Sequence, residues 1–174
     1  ENDKLSRATR DKWRRKEWFD IILPQYFGET KVGETPSDDP EKVMGRIFET
    51  TLAAITDFSQ EYMKMYFQVD EIEGHTARTV FKGHEFLRDY LRSLVRRRST
   101  KIDGFYMVYT TDGYRVKIVV TAMTQSRIKT SQEYAIRKIM QEIVLEKAEN
   151  LTFDQIAHEM VLGKLASDVY NRAK

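Results

Sequence analysis

Apolar and polar residues alternate along the middle of the chain, a pattern that is typical of half-buried β-strands. Residues 45–55, 61–73 and 75–83 follow it and are rich in aromatic and β-branched side chains. Gly74 separates the second and third of these segments, at the position where a hairpin would turn. The pattern therefore predicts three successive strands, of which the last two form a hairpin.

A second hairpin is predicted between residues 101 and 128. There Asp112-Gly113 lies between two runs of alternating apolar residues, and this dipeptide favours the tight turn of a hairpin. Five strands joined mainly by tight turns predict an antiparallel sheet. Such a sheet protects its edges by curling into a barrel or a sandwich.

The first part of the chain shows a helical period instead. Within residues 9–23, Trp13, Phe19 and the Ile21-Ile22 pair would share the buried side of an amphipathic helix. Pro24 would end this helix, because the residue before a proline avoids the α conformation.

Residues 28–42 combine two glycines, two prolines and five acidic residues, which predicts an ordered loop without regular structure. The chain is therefore expected to have three parts. These are a basic N-terminal helix or extension over residues 1–27, the acidic loop over residues 28–42, and one core domain over residues 43–174.

The last 45 residues or so are predicted to be helical. Thr130 followed by Glu133, and Thr152 followed by Gln155, each form the capping-box pattern that begins a helix. A further helix is predicted over residues 85–98. The expected fold class is α+β, with a barrel-like or curled antiparallel sheet core, packed helices and a C-terminal helical pair.

Composition fits an ordered protein of one domain that is found in the cytoplasm. The chain has 174 residues, of which 41% are hydrophobic and 32% charged, enough for a substantial core. It has no cysteine, which excludes disulfides, thiol catalysis and cysteine-bound zinc. No apolar run approaches ~18 residues, and the first residues lack the apolar centre of a secretory signal, so no membrane partner is expected.

The sequence offers little catalytic chemistry. His75, His84 and His158 lack metal-ligand spacing, and His158 has no second histidine four residues later. Gly163-Lys164 lacks the earlier glycine of a phosphate-binding loop and predicts a helix kink or boundary. Asp38-Asp39, adjacent acids in a proline-flanked loop, are expected to be solvated. We predict no catalytic residue, no metal site and no cofactor.

Charge is segregated along the chain, although the formal net charge is only +2. Residues 75–140 contain 14 Lys and Arg against 5 Asp and Glu, whereas residues 1–74 contain 11 against 16. Charge separated in this way favours a polyanionic partner on one side of the molecule.

Arginines concentrate in the predicted helix over residues 85–98. Arg88, Arg92 and Arg96 are four residues apart and would stack on one face, with three arginines in a row over residues 96–98. A leucine-rich face would anchor the helix: Leu87, Leu91, Leu94 and Val95. Favourable interaction of cations with a helix C-terminus is the competing explanation. With Lys101 just beyond, we favour phosphate binding.

Other basic clusters lie on separate predicted elements, and several could converge on one surface. RNA is favoured over DNA, because few side chains that read base edges are present and no helix-turn-helix or zinc-finger spacing occurs. Tyr106, Tyr109 and Tyr114 could stack on bases or could serve as core and cross-strand partners. The candidate RNA-binding residues are Lys12, Arg14, Arg15, Lys16, Arg88, Arg92, Arg96, Arg97, Arg98, Lys101, Arg115, Lys117, Arg127, Lys129, Arg137 and Lys138.

The chain resembles the S-three-a-e family of ribosomal proteins of archaea and eukaryotes, in its archaeal form, from about residue 6 to residue 170. The resemblance is carried by five motifs in order: DKWRRKEWF, GETPSDDPEKVMGR, LRSLVRRRSTKID, DGYRVKI and TSQEYAIRKIMQEI. Family members often have a lysine-rich leader and a basic tail that are absent from this sequence.

The resemblance implies a non-enzymatic component of the small ribosomal subunit with a barrel-like core. It would bind ribosomal RNA on the platform near the messenger RNA exit, beside neighbouring ribosomal proteins and with messenger RNA as a further partner. Within the matching motifs the implied RNA contacts are Lys12, Arg14, Arg15, Arg92, Arg96, Arg97 and Arg98. Two alternatives stay open: a free-standing RNA-binding or RNA-processing protein, and a scaffold for acidic protein partners.

Overall fold

A computed structural model describes residues 12–55 and 61–174 of the chain. The backbone contacts divide the chain into two compact units, with the boundary between Leu87 and Arg88. The division into residues 1–27, 28–42 and 43–174 stays a prediction.

The first unit is built on a five-stranded sheet with the strand order β2-β1-β5-β4-β3. Neighbouring strands are antiparallel except β1 and β5, which pair in parallel with Ile21 opposite Ala77. The strands are β1 (Glu17–Ile22), β2 (Lys31–Ser37), β3 (Ile47–Thr51), β4 (Met63–Glu73) and β5 (Thr76–Phe86). A 3-10 turn at Lys12–Arg15 precedes β1, and short helices lie between later strands: 3-10 turns at Gln25–Phe27 and Pro40–Lys42, and α1 (Leu52–Ile55).

The helix predicted over residues 9–23 was wrong for the part that the structure describes, residues 12–23. Phe19 and Ile21 are buried and Trp18 is exposed, so side chains alternate with the period of a strand. Pairing of β1 with both β2 and β5 stabilises this conformation. Trp13, expected in the core, is also exposed. Residues 9–11 lie outside the described residues.

The loop predicted over residues 28–42 was also wrong, because β2 and a 3-10 turn occupy most of it. Thr35 and Ser37 point inward and are buried. The Arg46 guanidinium holds this strand, since its Nη1 donates to Thr35 Oγ1 at 2.7 Å and to the Pro36 carbonyl at 3.2 Å, and its Nε donates to the Lys42 carbonyl at 2.9 Å.

The sheet of the first unit curls without closing. Alternate residues of β4, from Met63 to Val69, are buried, as the sequence pattern predicted. The two edge strands, β2 and β3, both line a cavity of about 160 Å³, which Leu23 and Phe67 line as well. The predicted α+β class is confirmed, but the sheet is curled and does not form a closed barrel.

The second unit contains a separate two-stranded sheet and most of the helical residues of the described chain. The hairpin predicted around Asp112-Gly113 is confirmed, with Gly113 at φ +79° in its turn. Seven strands in two sheets therefore replace the single five-stranded sheet that we expected. The elements are α2 (Arg88–Leu94), β6 (Lys101–Tyr109), β7 (Arg115–Met123), α3 (Thr130–Asn150), α4 (Phe153–Val161) and α5 (Lys164–Ala173).

The core of the second unit lies between the hairpin and the C-terminal helices. Ile102, Val108 and Ile118 on the inner face of the hairpin pack with Met140 and Val144 of α3. α5 packs on both α3 and α4. The chain turns between α4 and α5 at Gly163, whose φ of +75° is the left-handed conformation that favours glycine. The helix boundary predicted there is confirmed.

One of the two predicted capping boxes is confirmed. The Thr152 backbone N–H donates to Gln155 Oε1 at 3.3 Å at the start of α4. The other begins one residue earlier than predicted, because the Lys129 N–H donates to Gln132 Oε1 at 3.0 Å and Thr130 is already helical. Among the described residues, none of the helices has the length and apolar character needed to cross a membrane.

Candidate nucleic-acid interface

The arginine-rich segment is a short helix followed by a turn, not one continuous helix. α2 ends at Leu94, so Arg88 and Arg92 share a helical face while Arg96 lies beyond it. The predicted leucine anchor is only partial, because Leu94 is 42% exposed and Val95 is 51% exposed. Helices in proteins are stabilised mainly by burial of an apolar face, and Leu94 and Val95 bury little. A continuation of the helix past Leu94 is therefore poorly stabilised.

We call residues 95–99 the arginine turn. Its backbone is held by Ser99, whose Oγ donates to the Arg96 carbonyl at 2.6 Å and accepts from the Arg96 N–H at 3.2 Å. Arg98 adopts the left-handed conformation with φ +65°. The side chains of Arg96, Arg97 and Arg98 are all exposed, so three guanidinium groups project from a fixed turn.

Two more exposed cations, Arg127 and Lys129, lie on a segment that is hydrogen-bonded to Thr100 at the open end of the β6–β7 hairpin, just after this turn. Thr100 and Thr124 are joined there by two hydrogen bonds of 3.0 Å, each from a backbone N–H of one residue to an oxygen of the other. Thr100 Oγ1 also accepts from the Ile128 N–H at 3.3 Å. These bonds hold the segment of Arg127 and Lys129 beside the arginine turn. We define the basic end as Arg96, Arg97, Arg98, Arg127 and Lys129.

The cations of the basic end are not neutralised by any carboxylate that the structure describes. Within the described part of the chain, none of them has a carboxylate oxygen within 4.0 Å. Arg88 and Arg92 are exposed and equally unpaired among these residues. This part of the site has an uncompensated positive charge.

Two predicted cations are engaged by neighbouring groups. Lys101 Nζ lies 3.0 Å from Asp103 Oδ2, and Arg137 pairs with Glu133 at 3.5 Å while donating to the Asp103 carbonyl at 3.3 Å. Partial burial acts to raise the pKa of the Asp103 carboxyl, but hydrogen bonds from Lys101 and Thr121 and the nearby Arg137 charge hold this pKa below its ordinary value. Lys101 and Arg137 therefore contribute to local structure.

Arg115 and Lys117 lie on the outer face of the hairpin, toward its turn. They alternate with Val116 and Ile118, which face the core, as the sequence predicted. Six residues of extended strand separate Lys117 from the open end, a distance of about 20 Å. The structure therefore does not bring them into the basic end, and it leaves Lys138 exposed on α3.

The N-terminal candidates belong to the first unit. Arg14 and Arg15 are exposed on a 3-10 turn, and Lys16 Nζ lies 3.9 Å from the centre of the Trp13 ring. The side chain of Lys12 lies outside the described residues. For this cluster, a surface shared with the other candidates stays a prediction.

The three tyrosines considered as stacking residues differ in their surroundings. Tyr106 faces the core and donates its hydroxyl proton to the Arg137 carbonyl at 2.7 Å. The Tyr114 ring lies 5.3 Å from that of Phe153. Tyr109 is exposed together with Phe105 and two further apolar residues of the hairpin that the sequence analysis did not single out. The sequence pattern could have identified them, because in the strand alternation they fall on the same face of the hairpin as Tyr109.

The three histidines have no role in the basic end as it is defined here. Burial against aromatic rings lowers the pKa of His84, which stacks on Phe81 at 6.3 Å. His75 lies 3.8 Å from Glu17, and His158 is exposed on α4. In the two described stretches of the chain, no three His, Cys, Asp or Glu side chains are grouped closely enough to hold a metal ion.

An α+β scaffold with an exposed, uncompensated arginine cluster is typical of proteins that bind nucleic acids. Residues 4–174 match the Ribosomal S3Ae family, and the chain belongs to that family. The resemblance inferred from the sequence motifs is therefore confirmed.

Relatives named small ribosomal subunit protein eS1 share about half of their aligned residues with this chain. The protein from Aeropyrum pernix is 54% identical over 155 residues, which cover 88% of this chain and 72% of that protein. The protein from Staphylothermus marinus is 48% identical over 168 residues, covering 96% and 79%. The protein from Archaeoglobus fulgidus is 48% identical over 168 residues, covering 95% and 80%. These archaeal sources support the archaeal form.

Proposed function

We propose that this protein is a non-enzymatic structural constituent of the small ribosomal subunit that binds ribosomal RNA through its basic end, with Arg88 and Arg92 of α2 adding to the contact. One observation carries the proposal. Exposed arginines and a lysine lie on two chain segments that are hydrogen-bonded to each other at the open end of the hairpin, without acidic partners among the described residues. Family membership indicates which polyanion they meet.

The chemistry of the basic end suits an RNA backbone. A guanidinium group binds phosphate through two parallel hydrogen bonds and keeps its charge at every physiological pH. Three such groups on one turn can contact successive phosphates, and the affinity gained comes largely from the release of counterions. Recognition of this kind depends on the shape of a folded RNA and not on base sequence.

The family resemblance supports a more specific placement. The protein would lie on the platform of the small subunit near the messenger RNA exit, in the ribosome of the cytoplasm. Its partners there would be ribosomal RNA, neighbouring small-subunit proteins and messenger RNA. The remaining cations of the second unit, on the hairpin and α3, would extend this contact area, and those of the N-terminal turn would contact RNA through the first unit.

The salt dependence of RNA binding tests the role of the basic end. Arg96, Arg97 and Arg98 are replaced together by Ala, and affinity for a folded small-subunit RNA fragment is measured over a range of salt concentrations. The slope of log affinity against log salt should become shallower by about one for each phosphate that the variant no longer neutralises. Thermal stability should change little, because these side chains are exposed.

A matched control removes the same charge from paired cations. Lys31, Lys42 and Arg78 each contact a carboxylate of the protein, so their joint replacement by Ala should leave the slope nearly unchanged. If the wild type and the arginine variant bind with equal affinity and equal slope, the role of the basic end is refuted. If both triple variants lose affinity equally, net charge alone explains the binding and the role of the basic end is refuted as well.

Sedimentation of a cell lysate separates the ribosomal role from the alternatives. The protein, detected by antibody, should migrate with small subunits in a sucrose gradient, and washing with high salt should release the arginine variant earlier than the wild type. Migration with free RNA or protein complexes alone would instead favour a free-standing RNA-binding protein.

A further inference from the structure

The outer face of the β6–β7 hairpin exposes more apolar surface than a solvated strand face normally does. Phe105 is 67% exposed, Met107 55% and Tyr109 65%, and Val119 on the neighbouring strand is 52% exposed. These residues alternate with the buried residues of β6 and β7, so they all point to the same side. An apolar patch of this kind usually marks a binding surface.

Cations alternate with the apolar residues across the two strands. The register places Tyr109 opposite Arg115, Met107 opposite Lys117, and Phe105 opposite Val119. Directly opposed residues have Cβ atoms about 5 Å apart. An aromatic ring or a thioether and a cation therefore lie side by side in two successive pairs.

The charge of this face is positive. Its one carboxylate, Asp103, is engaged by Lys101 at 3.0 Å and accepts from Thr121 Oγ1 at 2.8 Å. Arg115 and Lys117 are exposed and, within residues 12–55 and 61–174, neither has a carboxylate oxygen within 4.0 Å. The face thus combines flat apolar surface with uncompensated positive charge.

We propose that this outer face binds unpaired RNA nucleotides, separately from the basic end. Bases stack on the rings of Phe105 and Tyr109, while Arg115 and Lys117 contact the phosphates that follow. The two rings are four residues apart on one strand, or about 13 Å, so each serves as an independent stacking platform. The proposal rests on the proposed function in one respect, that the ligand is RNA.

The arrangement favours unpaired RNA over the two other candidate partners. Bases in a duplex are stacked on each other and offer no ring face, whereas single strands offer one base after another to aromatic side chains. An acidic protein segment would also be attracted to the cations, and aromatic residues and arginine are common in protein interfaces. On the outer face a cation lies beside Tyr109 and another beside Met107. This regular alternation matches the repeat of base and phosphate along an RNA strand more closely than it matches the irregular side chains of a peptide.

Removal of the rings tests the proposal without changing charge. The Phe105→Ala, Tyr109→Ala double variant is compared with the wild type for binding to a single-stranded RNA of about ten nucleotides and to a hairpin RNA with a fully paired stem. The single strand should bind at least about tenfold more weakly, because stacking contributes strongly for each base. Its salt slope and the affinity for the paired stem should stay the same.

A base analogue gives a direct readout of stacking. RNA that contains 2-aminopurine loses fluorescence when the analogue stacks on an aromatic ring, so the wild type should quench it and the double variant should not. The conservative Phe105→Tyr, Tyr109→Phe variant should restore both quenching and affinity. Tyr170→Ala, which removes an equally exposed ring from α5, should leave both unchanged.

The Arg115→Ala, Lys117→Ala variant should show the opposite pattern. Quenching at saturating RNA should remain, while the salt slope for the single strand should fall by about 0.7 for each phosphate that is no longer neutralised. Unchanged single-strand affinity and quenching in the ring variant would overturn the proposal. So would displacement of RNA from the wild type by an acidic peptide together with loss of peptide binding in the ring variant.

The outcomes also separate this proposal from the proposed function. If only the outer face is wrong, the ring variant binds single strands normally and the arginine-turn variant still loses affinity for folded RNA. If only the basic end is wrong, the ring variant fails on single strands and the arginine-turn variant binds normally.

Discussion

Three cations of the first unit and the five cations of the basic end, which belong to the second unit, face different electrostatic surroundings. In the first unit Lys31 contacts Asp20 and Glu34 at 2.8 and 2.6 Å, Lys42 contacts Asp38 and Asp39, and Arg78 contacts Glu73 at 3.1 Å. In the second unit the five cations of the basic end have no such partner among the residues described. Both groups are on the surface.

The difference shows how a nearly neutral protein can present a strongly charged surface. Hydrogen bonds to Asp20 and Glu34 raise the pKa of Lys31, and those to Asp39 and Asp38 raise the pKa of Lys42, so each lysine stays charged while its field is cancelled nearby. No carboxylate in the described part of the chain cancels the field of the basic end in this way, so this field extends into solvent over roughly one Debye length, about 8 Å at physiological salt.

The largest effect is expected where the same residue type is buried in one unit and exposed in the other. Phe67 is 1% exposed and contacts the rings of Phe27 and Phe81 at 5.5 and 5.8 Å. Phe67→Ala should lower the free energy of unfolding by about 3–5 kcal/mol, whereas Phe105→Ala should change it by about 0.5 kcal/mol or less. Urea denaturation of both variants checks this, and a large loss for Phe105→Ala would contradict its exposure on the hairpin.

Replacement of an arginine that supports the fold and replacement of an arginine that binds RNA should have opposite effects on stability and on RNA affinity. Arg46→Ala would leave the buried Thr35 hydroxyl and two carbonyls without their donor, so we expect a loss of roughly 1–3 kcal/mol in unfolding free energy with unchanged RNA affinity. Arg97→Ala should weaken RNA binding and leave stability unchanged. Thermal melts and RNA titrations of both variants measure the two quantities, and a stability loss for Arg97→Ala would break the distinction.

The pH dependence of stability should include a contribution from His84. Because burial lowers the pKa of this histidine in the folded protein below its ordinary 6.5, the unfolded chain takes up the proton first as pH falls. Its stabilising contribution is therefore complete above pH 6.5 and declines as the pH falls through the lowered folded-state pKa. The melting temperature should fall from pH 7.5 to 5.5 in the wild type, and less so in His84→Gln, which keeps the other two histidines.

The smallest expected effect comes from Asp103, the acidic residue on the outer face of the hairpin. Asp103→Asn removes a negative charge from the outer face while an amide oxygen can still accept from Thr121. Lys101 is then released from its ion pair, and single-stranded RNA should bind a few-fold more tightly with a steeper salt slope. Glu149→Gln, an exposed acid on α3, is the control and should not change binding.

Local signals predicted the fold where neighbouring residues decide the structure. Asp112-Gly113 specifies its own turn, Gly74 adopts φ +60° between β4 and β5, and Thr152 caps its helix with Gln155. β1 was missed because its apolar residues fit both a helical and a strand period. Its strand conformation depends on pairing with β5, more than fifty residues away in sequence, and no local pattern reports that contact.

The candidate site was predictable in its residue types but not in its grouping. The run of arginines over residues 96–98 is visible in the sequence, and so is their separation from acidic neighbours along the chain. That Arg127 joins them depends on the hydrogen bonds between Thr100 and Thr124, and that Arg137 is paired depends on the helical position of Glu133. Both require the folded hairpin and helix.

The hydrogen bonds of Ser99 affect how the sequence of the arginine turn can change during evolution. The shape of the turn depends on this small hydroxyl and on the peptide groups, so the long side chains at residues 96–98 take no part in maintaining it. Each guanidinium can therefore reorient toward an irregular ligand, and Arg96 and Arg97 can be exchanged during evolution without loss of the underlying architecture, whereas the left-handed conformation of Arg98 restricts which residues can replace it. Selection on recognition is thereby uncoupled from selection on folding.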